Sequence, residues 1–165
     1  MKKGLLFTLI LVIFGSLPFI QTASSGEKDK PCVEYPEGYR TWTHIKSMVI
    51  QKGHPMYDSF GGIHHIYANE EVLKALKDNP YPDGAVIVFD VLEAINKNNA
   101  IVEGPRKFVA VMQKDANKYA DTGGWGFESF KGDAKERVVT DPKNDCFQCH
   151  KSQMLADYVF SKYRP

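Results

Sequence analysis

Pro82-Asp83-Gly84-Ala85-Val86-Ile87-Val88-Phe89, residues 82–89, is the stretch on which the fold turns. Pro, Asp and Gly in succession make a turn: Pro presets φ, Asp bonds its own backbone and Gly admits a positive φ. The apolar run that follows is rich in β-branched residues and does not alternate with polar ones. That pattern predicts a strand buried on both faces, which needs neighbours on either side.

Neighbours are at hand in both directions. Trp42 to Ile50 mixes Thr, Ile, Val and Trp with polar residues, as a half-buried strand does, and Gly62 to Ala68 is a second candidate. Asn69 is placed to cap a helix with Glu70 and Glu71 in its first turn, and Val72, Leu73 and Leu76 on one face, ending before Pro80. Downstream, turns are expected at Asn96–Asn99 and at Gly104-Pro105, a strand at Phe108–Met112 and a short helix at Asp115–Tyr119. Gly123-Gly124 introduces a last strand, Trp125–Phe130, and Lys131-Gly132-Asp133 turns the chain back. From Asp145 to Tyr163 the positions of Met154, Leu155, Tyr158 and Val159 have helical spacing. The expected fold is mainly β (α+β): an antiparallel β-sheet domain with short helices and a C-terminal helix.

The chain has 165 residues, 43% hydrophobic and 25% charged, which suits one globular domain and excludes a disordered tail. Three cysteines are too few and too oddly numbered for a disulfide scaffold. Met1-Lys2-Lys3, the apolar run from Leu5 to Phe14, the breakers Gly15, Ser16 and Pro18, and the small residues Ala23, Ser24 and Ser25 have the layout of a secretory signal peptide, residues 1–25. A membrane anchor needs roughly 18–20 apolar residues, and Leu5 to Ile20 is shorter and interrupted. Cleavage between Gln21 and Gly26 predicts a periplasmic or otherwise exported chain with no membrane attachment. Loss of Lys2 and Lys3 turns the formal charge from +1 to −1, so nothing in the charge seeks nucleic acid. Residues 26–38, with Pro31, Pro36 and Gly38, read as an extended lead-in, and structure is expected from Tyr39 onward, in a domain spanning 39–165.

Cys146-Phe147-Gln148-Cys149-His150 carries the chemistry. Two cysteines about one helical turn apart can add to the two vinyl groups of a porphyrin, and the histidine after the second then lies beneath the iron. This is the attachment signature of one covalent haem c, with Cys146 and Cys149 as thioethers and His150 as metal ligand. Attachment outside the cytoplasm agrees with the leader. A thioredoxin-type pair would open a βαβ unit, structural zinc would want four ligands, and a plain disulfide leaves the histidine unexplained. Some of Trp42, Phe60, Phe89, Trp125, Phe127 and Phe130 are expected to cover the haem, and Arg40, Arg106, Lys107 and Arg137 are candidates for its propionates. For the sixth iron position the candidates are Met48, Met56, Met112, Met154, His44, His54, His64 and His65, and spacing leaves it open. His64 and His65 fall on opposite faces of a strand, so at most one faces a pocket. Cys32 is the odd cysteine, with a free thiol or a bridge between chains both open to it.

Tyr39-Arg40-Thr41-Trp42, Pro82 to Val86, Gly124-Trp125-Gly126-Phe127 and Cys146 to His150 followed by Asp157-Tyr158-Val159-Phe160 together resemble the cytochrome P-460 and cytochrome c′-β family over Tyr35 to Pro165. The resemblance implies a periplasmic homodimer of antiparallel β fold, with His150 as the only protein ligand of a five-coordinate iron. In the P-460 enzymes, which oxidise hydroxylamine, a lysine is cross-linked to the porphyrin, and Phe89 stands at that position. The c′-β branch resembles this chain more closely, with a distal cap of two phenylalanines matched by Phe60 and Phe89. It implies binding of small diatomic ligands such as NO or CO. The alternatives are a haem oxidoreductase acting on hydroxylamine, NO, peroxide or another small nitrogen compound, and an electron carrier with a redox partner protein and a Met or His sixth ligand. Evenly spaced on a strand, Phe60 and His64 would share one face and put a polar group at the pocket edge.

Overall fold

The computed structural model describes residues 32–75 and 80–162; the leader at 1–25, the start of the lead-in and Leu76 lie outside them. Five strands form one sheet in the order β1-β2-β3-β4-β5, each antiparallel to the next in sequence. They are β1 (Thr43–Ile50), β2 (Gly62–Ala68), β3 (Val86–Lys97), β4 (Ala100–Lys114) and β5 (Trp125–Lys131). Three short helices, α1 (Tyr57–Phe60), α2 (Glu70–Lys74) and α3 (Gln148–His150), complete the mainly β, α+β fold. Among the described residues no helix is long and apolar enough to cross a membrane.

The non-alternating run at Ala85–Phe89 is buried on both sides, as expected of β3. Ile87 packs into one core with Ile45, Ile66, Ala68, Trp125, Phe127 and Phe147, and Phe89 lies against it. Val88 faces the opposite core with Val33, Tyr39, Val109, Val111, Tyr119 and Phe130. The strand continues past Phe89 to Lys97, through a fully buried Asp90 that no local pattern predicts there. Arg106 Nε at 2.7 Å and Arg40 Nε at 3.0 Å supply the counter-charges that make this burial tolerable.

Gly104-Pro105, expected as a turn, lies inside β4. The hairpin reverses at Asn98 and Asn99, within the turn expected at Asn96–Asn99, with φ of 52° and 60°, between the paired Lys97 and Ala100. Both residues in the left-handed region match the right-handed strand twist, and Asn is among the few non-glycines that go there readily. Irregular register between Leu92 and Ala94, paired to Arg106 and Glu103, accommodates Pro105, which has no N–H for the ladder.

Three further expectations need correction. Asp115–Tyr119 is a turn, with the Asp115 carboxylate accepting from the N–H of Asn117 and Lys118, followed by a 3₁₀ turn at Ala120–Thr122. Order begins before Tyr39: Val33 is 3% exposed, and the Tyr35 ring lies edge-on to Phe130 at 5.1 Å. The C-terminal helix is a chain of three short pieces, a π turn at Lys143–Phe147, α3, and a 3₁₀ segment at Lys151–Ala156. It ends before Tyr158, and Met154 and Leu155 are 62% and 94% exposed, so they form no buried helix face with Tyr158 and Val159. Asn69 behaves as the sequence predicts, its Oδ1 accepting from Val72 N at the start of α2.

Candidate haem site

Cys146 lies in the π turn and Cys149 in α3, on backbone that is right-handed helical through Lys151. Cys146 packs against the Phe127–Phe147 core, while Cys149 is exposed, and both are free thiols. Burial, with the carboxylates of Asp145 and Glu128 adding to it, pushes the Cys146 thiol up to about 11. A redox-active Cys-X-X-Cys needs the reverse, a depressed value that yields thiolate at neutral pH. Among the described residues no three His, Cys, Asp or Glu side chains converge as a metal cluster.

His150 is held on three sides. Its ring lies 4.9 Å from that of Phe127 and 5.1 Å from that of Phe160. Nδ1 donates its proton to the Tyr158 carbonyl at 2.7 Å, since a carbonyl can only accept. The other nitrogen, Nε2, therefore keeps a lone pair. Burial lowers the imidazole pKa, outweighing the hydrogen bond that raises it, so the ring is neutral. A neutral imidazole whose second nitrogen is fixed by a backbone carbonyl is the arrangement found in metal-ligating histidines. Tyr158 and Phe160 are the partners that sequence reasoning missed as such. The quoted Asp157-Tyr158-Val159-Phe160 segment was the available signal, but it reads as helix when the left-handed backbone at Asp157 and Tyr158 cannot be foreseen.

On the same face of the sheet three phenylalanines meet. Phe89 lies 6.2 Å from Phe60 and 6.4 Å from Phe108, and Phe60 lies 6.0 Å from Phe108. All three are only half-buried, though Phe89 is on the central strand, so an apolar surface remains for a flat macrocycle to cover. Phe60 is not on a strand, as assumed for its spacing to His64; it ends α1, and the chain turns through Gly61 and Gly62 into β2. Gly62 has φ of 134°, and a Cβ there would lie 2.1 Å from the Leu92 carbonyl oxygen, so only glycine permits this entry. The two residues are nevertheless tied together, because the His64 Nε2–H donates to the Phe60 backbone carbonyl, and the His64 ring stands edge-on to Phe89 at 4.6 Å. His64 is fully buried, and its Nδ1 has no hydrogen-bond partner. Burial lowers its pKa, with Lys107 and His65 nearby contributing in the same direction.

The remaining candidates separate by face. Phe127 and Trp125 belong to the His150 side, whereas Phe130 and Trp42 belong to the opposite core. Arg40 and Arg106 are engaged with Asp90, Arg137 with Glu128 and the Val33 carbonyl, and Lys107 with the Gly61 carbonyl, so each propionate candidate already has another partner. His44 and His65 both bond Ser47 on the far face, while His54, Met56 and Met154 are exposed. Met48, Met112 and His64 are the sixth-ligand candidates left near the phenylalanine face. The donor set fits haem c: paired thiols a turn apart, a neutral oriented imidazole and an apolar face.

The family model of cytochrome P460 matches residues 36–161, and no curated protein matches the chain. The chain belongs to the cytochrome P460 family, and its cofactor class is haem c, that of a mono-haem c-type cytochrome.

Proposed function

We propose that this cytochrome P460 family member is an exported haem protein that binds a small uncharged diatomic ligand such as NO or CO, with closer kinship to the c′-β branch. One haem c is held by thioethers to Cys146 and Cys149, with His150 as its only protein ligand. When bound, the haem supplies an iron with one position open to a small ligand. The observation that carries the reading is the Phe60–Phe89–Phe108 cluster, with centroids 6.0–6.4 Å apart, on the sheet face that also carries the His150 partner Phe127. Such a lining offers packing without hydrogen bonds, which favours a neutral diatomic and disfavours an anion that must shed its hydration. Phe89 has no amine, so the lysine cross-link of the hydroxylamine oxidases has no counterpart at the position the resemblance matches to it.

Export is supported by the Leu5–Ile20 segment together with the need for thioether attachment outside the cytoplasm, and a homodimer by the resemblance to c′-β proteins. A second reading, electron transfer to a partner protein, has one observation in its favour: Met48 and Met112 pack against the core next to Phe89. Titration of the reduced protein with CO and NO, and of the oxidised protein with cyanide and azide, tests the first reading. Saturable CO and NO binding with anion binding at least tenfold weaker is expected; no binding of either diatomic contradicts it.

A further inference from the structure

Lys114 and Asp157 form a nearly fully buried ion pair, 8% and 9% exposed, on the His150 side of the sheet. Lys114 Nζ meets both carboxylate oxygens, at 2.8 and 3.0 Å, donates to the Gly123 carbonyl at 3.1 Å and lies 5.0 Å over the Trp125 ring. Asp157 also accepts from the Tyr81 N–H at 2.9 Å, and its backbone carbonyl accepts from Trp125 Nε1–H at 2.9 Å. These contacts fix a backbone that would not hold itself. Asp157 and Tyr158 have φ of 50° and 65°, and successive left-handed residues without a glycine are uncommon, the bulky tyrosine more so. The Tyr158 ring fits only because position 123 lacks a side chain, since a Cβ on Gly123 would come within 2.3 Å of it.

The product of this conformation is the Tyr158 carbonyl at 2.7 Å from His150 Nδ1. We propose that Lys114 and Asp157 are positioning residues for the ligand histidine: their ion pair pins the left-handed turn at 157–158 and so sets the strength of the His150 hydrogen bond. The inference rests on His150 being the iron ligand. A strong bond from Nδ1–H to a fixed carbonyl makes the other nitrogen more basic, which strengthens its bond to iron and favours the oxidised metal. Loosening the turn weakens both effects.

The test uses the haem-loaded protein with Asp157→Asn, which keeps the shape and removes the charge. Lys114→Met/Asp157→Asn leaves neither charge stranded should the single variant fail to fold, and Lys114→Arg is the conservative replacement. Resonance Raman spectra of the ferrous form read the iron–histidine stretch, and redox titration reads the midpoint. Expected are a shift of that band to lower wavenumber and a rise in midpoint for Asp157→Asn and the double variant, with Lys114→Arg close to wild type. Unchanged band and midpoint in variants that lose urea resistance would overturn the inference, leaving the pair a purely structural one. A wild-type protein with no iron–histidine band would instead overturn the haem-ligand reading, and the inference with it.

Discussion

At the scale of single residues, His64 and Asp90 show how a buried polar group is made tolerable in this sheet. His64 is neutral because burial disfavours its charged form. Its pKa in the folded protein lies below the value of about 6.5 in the unfolded chain. The unfolded chain therefore takes up the extra proton, and stability from this group is full above that pH and falls as the pH drops below it. We expect urea midpoints to decline between about pH 7 and pH 5, and His64→Phe to flatten part of that decline; an unaltered pH profile in the variant would count against a buried neutral imidazole. Asp90 is the opposite case, a buried carboxylate held by Arg40 and Arg106. Asp90→Ala removes the buried partner shared by Arg40 and Arg106, which keep Glu103 and Asp133, and should cost about 1–3 kcal/mol in urea unfolding. The proposed haem residues, Cys146, Cys149 and His150, are legible in the sequence because thioether attachment would demand a fixed local spacing. Tyr158 is not, since its part is played by a backbone carbonyl, which no side chain advertises.

At the scale of elements, legibility followed local consistency. β2 and β5 were read within a residue of their ends because glycines introduce both and turn residues follow them. β3 and β4 were cut short because Asp90 and Pro105 each argue locally against a strand, and their compensation comes from residues far away in sequence. Phe60 is delivered by a helical turn and not by a strand, and its ring lies 6.2 Å from that of Phe89. Asn69 joins three elements: besides capping α2, its Oδ1 accepts from Val86 N at 3.0 Å and its Nδ2 donates to the Gly84 carbonyl at 2.9 Å. Its replacement by alanine should cost about 2 kcal/mol, more than a cap of about 1 kcal/mol alone, measured by thermal or urea unfolding. The Asn98-Asn99 hairpin gives a change of opposite sign. Asn99→Gly relieves a left-handed asparagine at φ 60° and should be neutral to slightly stabilising, while Asn99→Val should destabilise by about 1–2 kcal/mol.

At the scale of the whole molecule, one sheet serves two purposes. One face buries the lead-in from Val33 to Trp42 against Val88, Val109 and Phe130 and acts as an ordinary core. The other gathers the Cys146–His150 segment and the half-buried phenylalanines, the apolar surface on which the proposed haem would lie. Cys146 and Cys149 are the two thiols of the proposed site, and Cys32 is exposed and free. A mass spectrum of the denatured protein should show one haem retained, and Cys146→Ser/Cys149→Ser should lose it on acid extraction. The central claim, an iron ligated by His150 alone and open toward Phe60 and Phe89, is tested most directly by the absorption spectrum of the ferrous protein before and after CO. Expected is a high-spin, five-coordinate spectrum that converts fully to a CO complex; a low-spin, six-coordinate spectrum in the absence of any added ligand would contradict that claim.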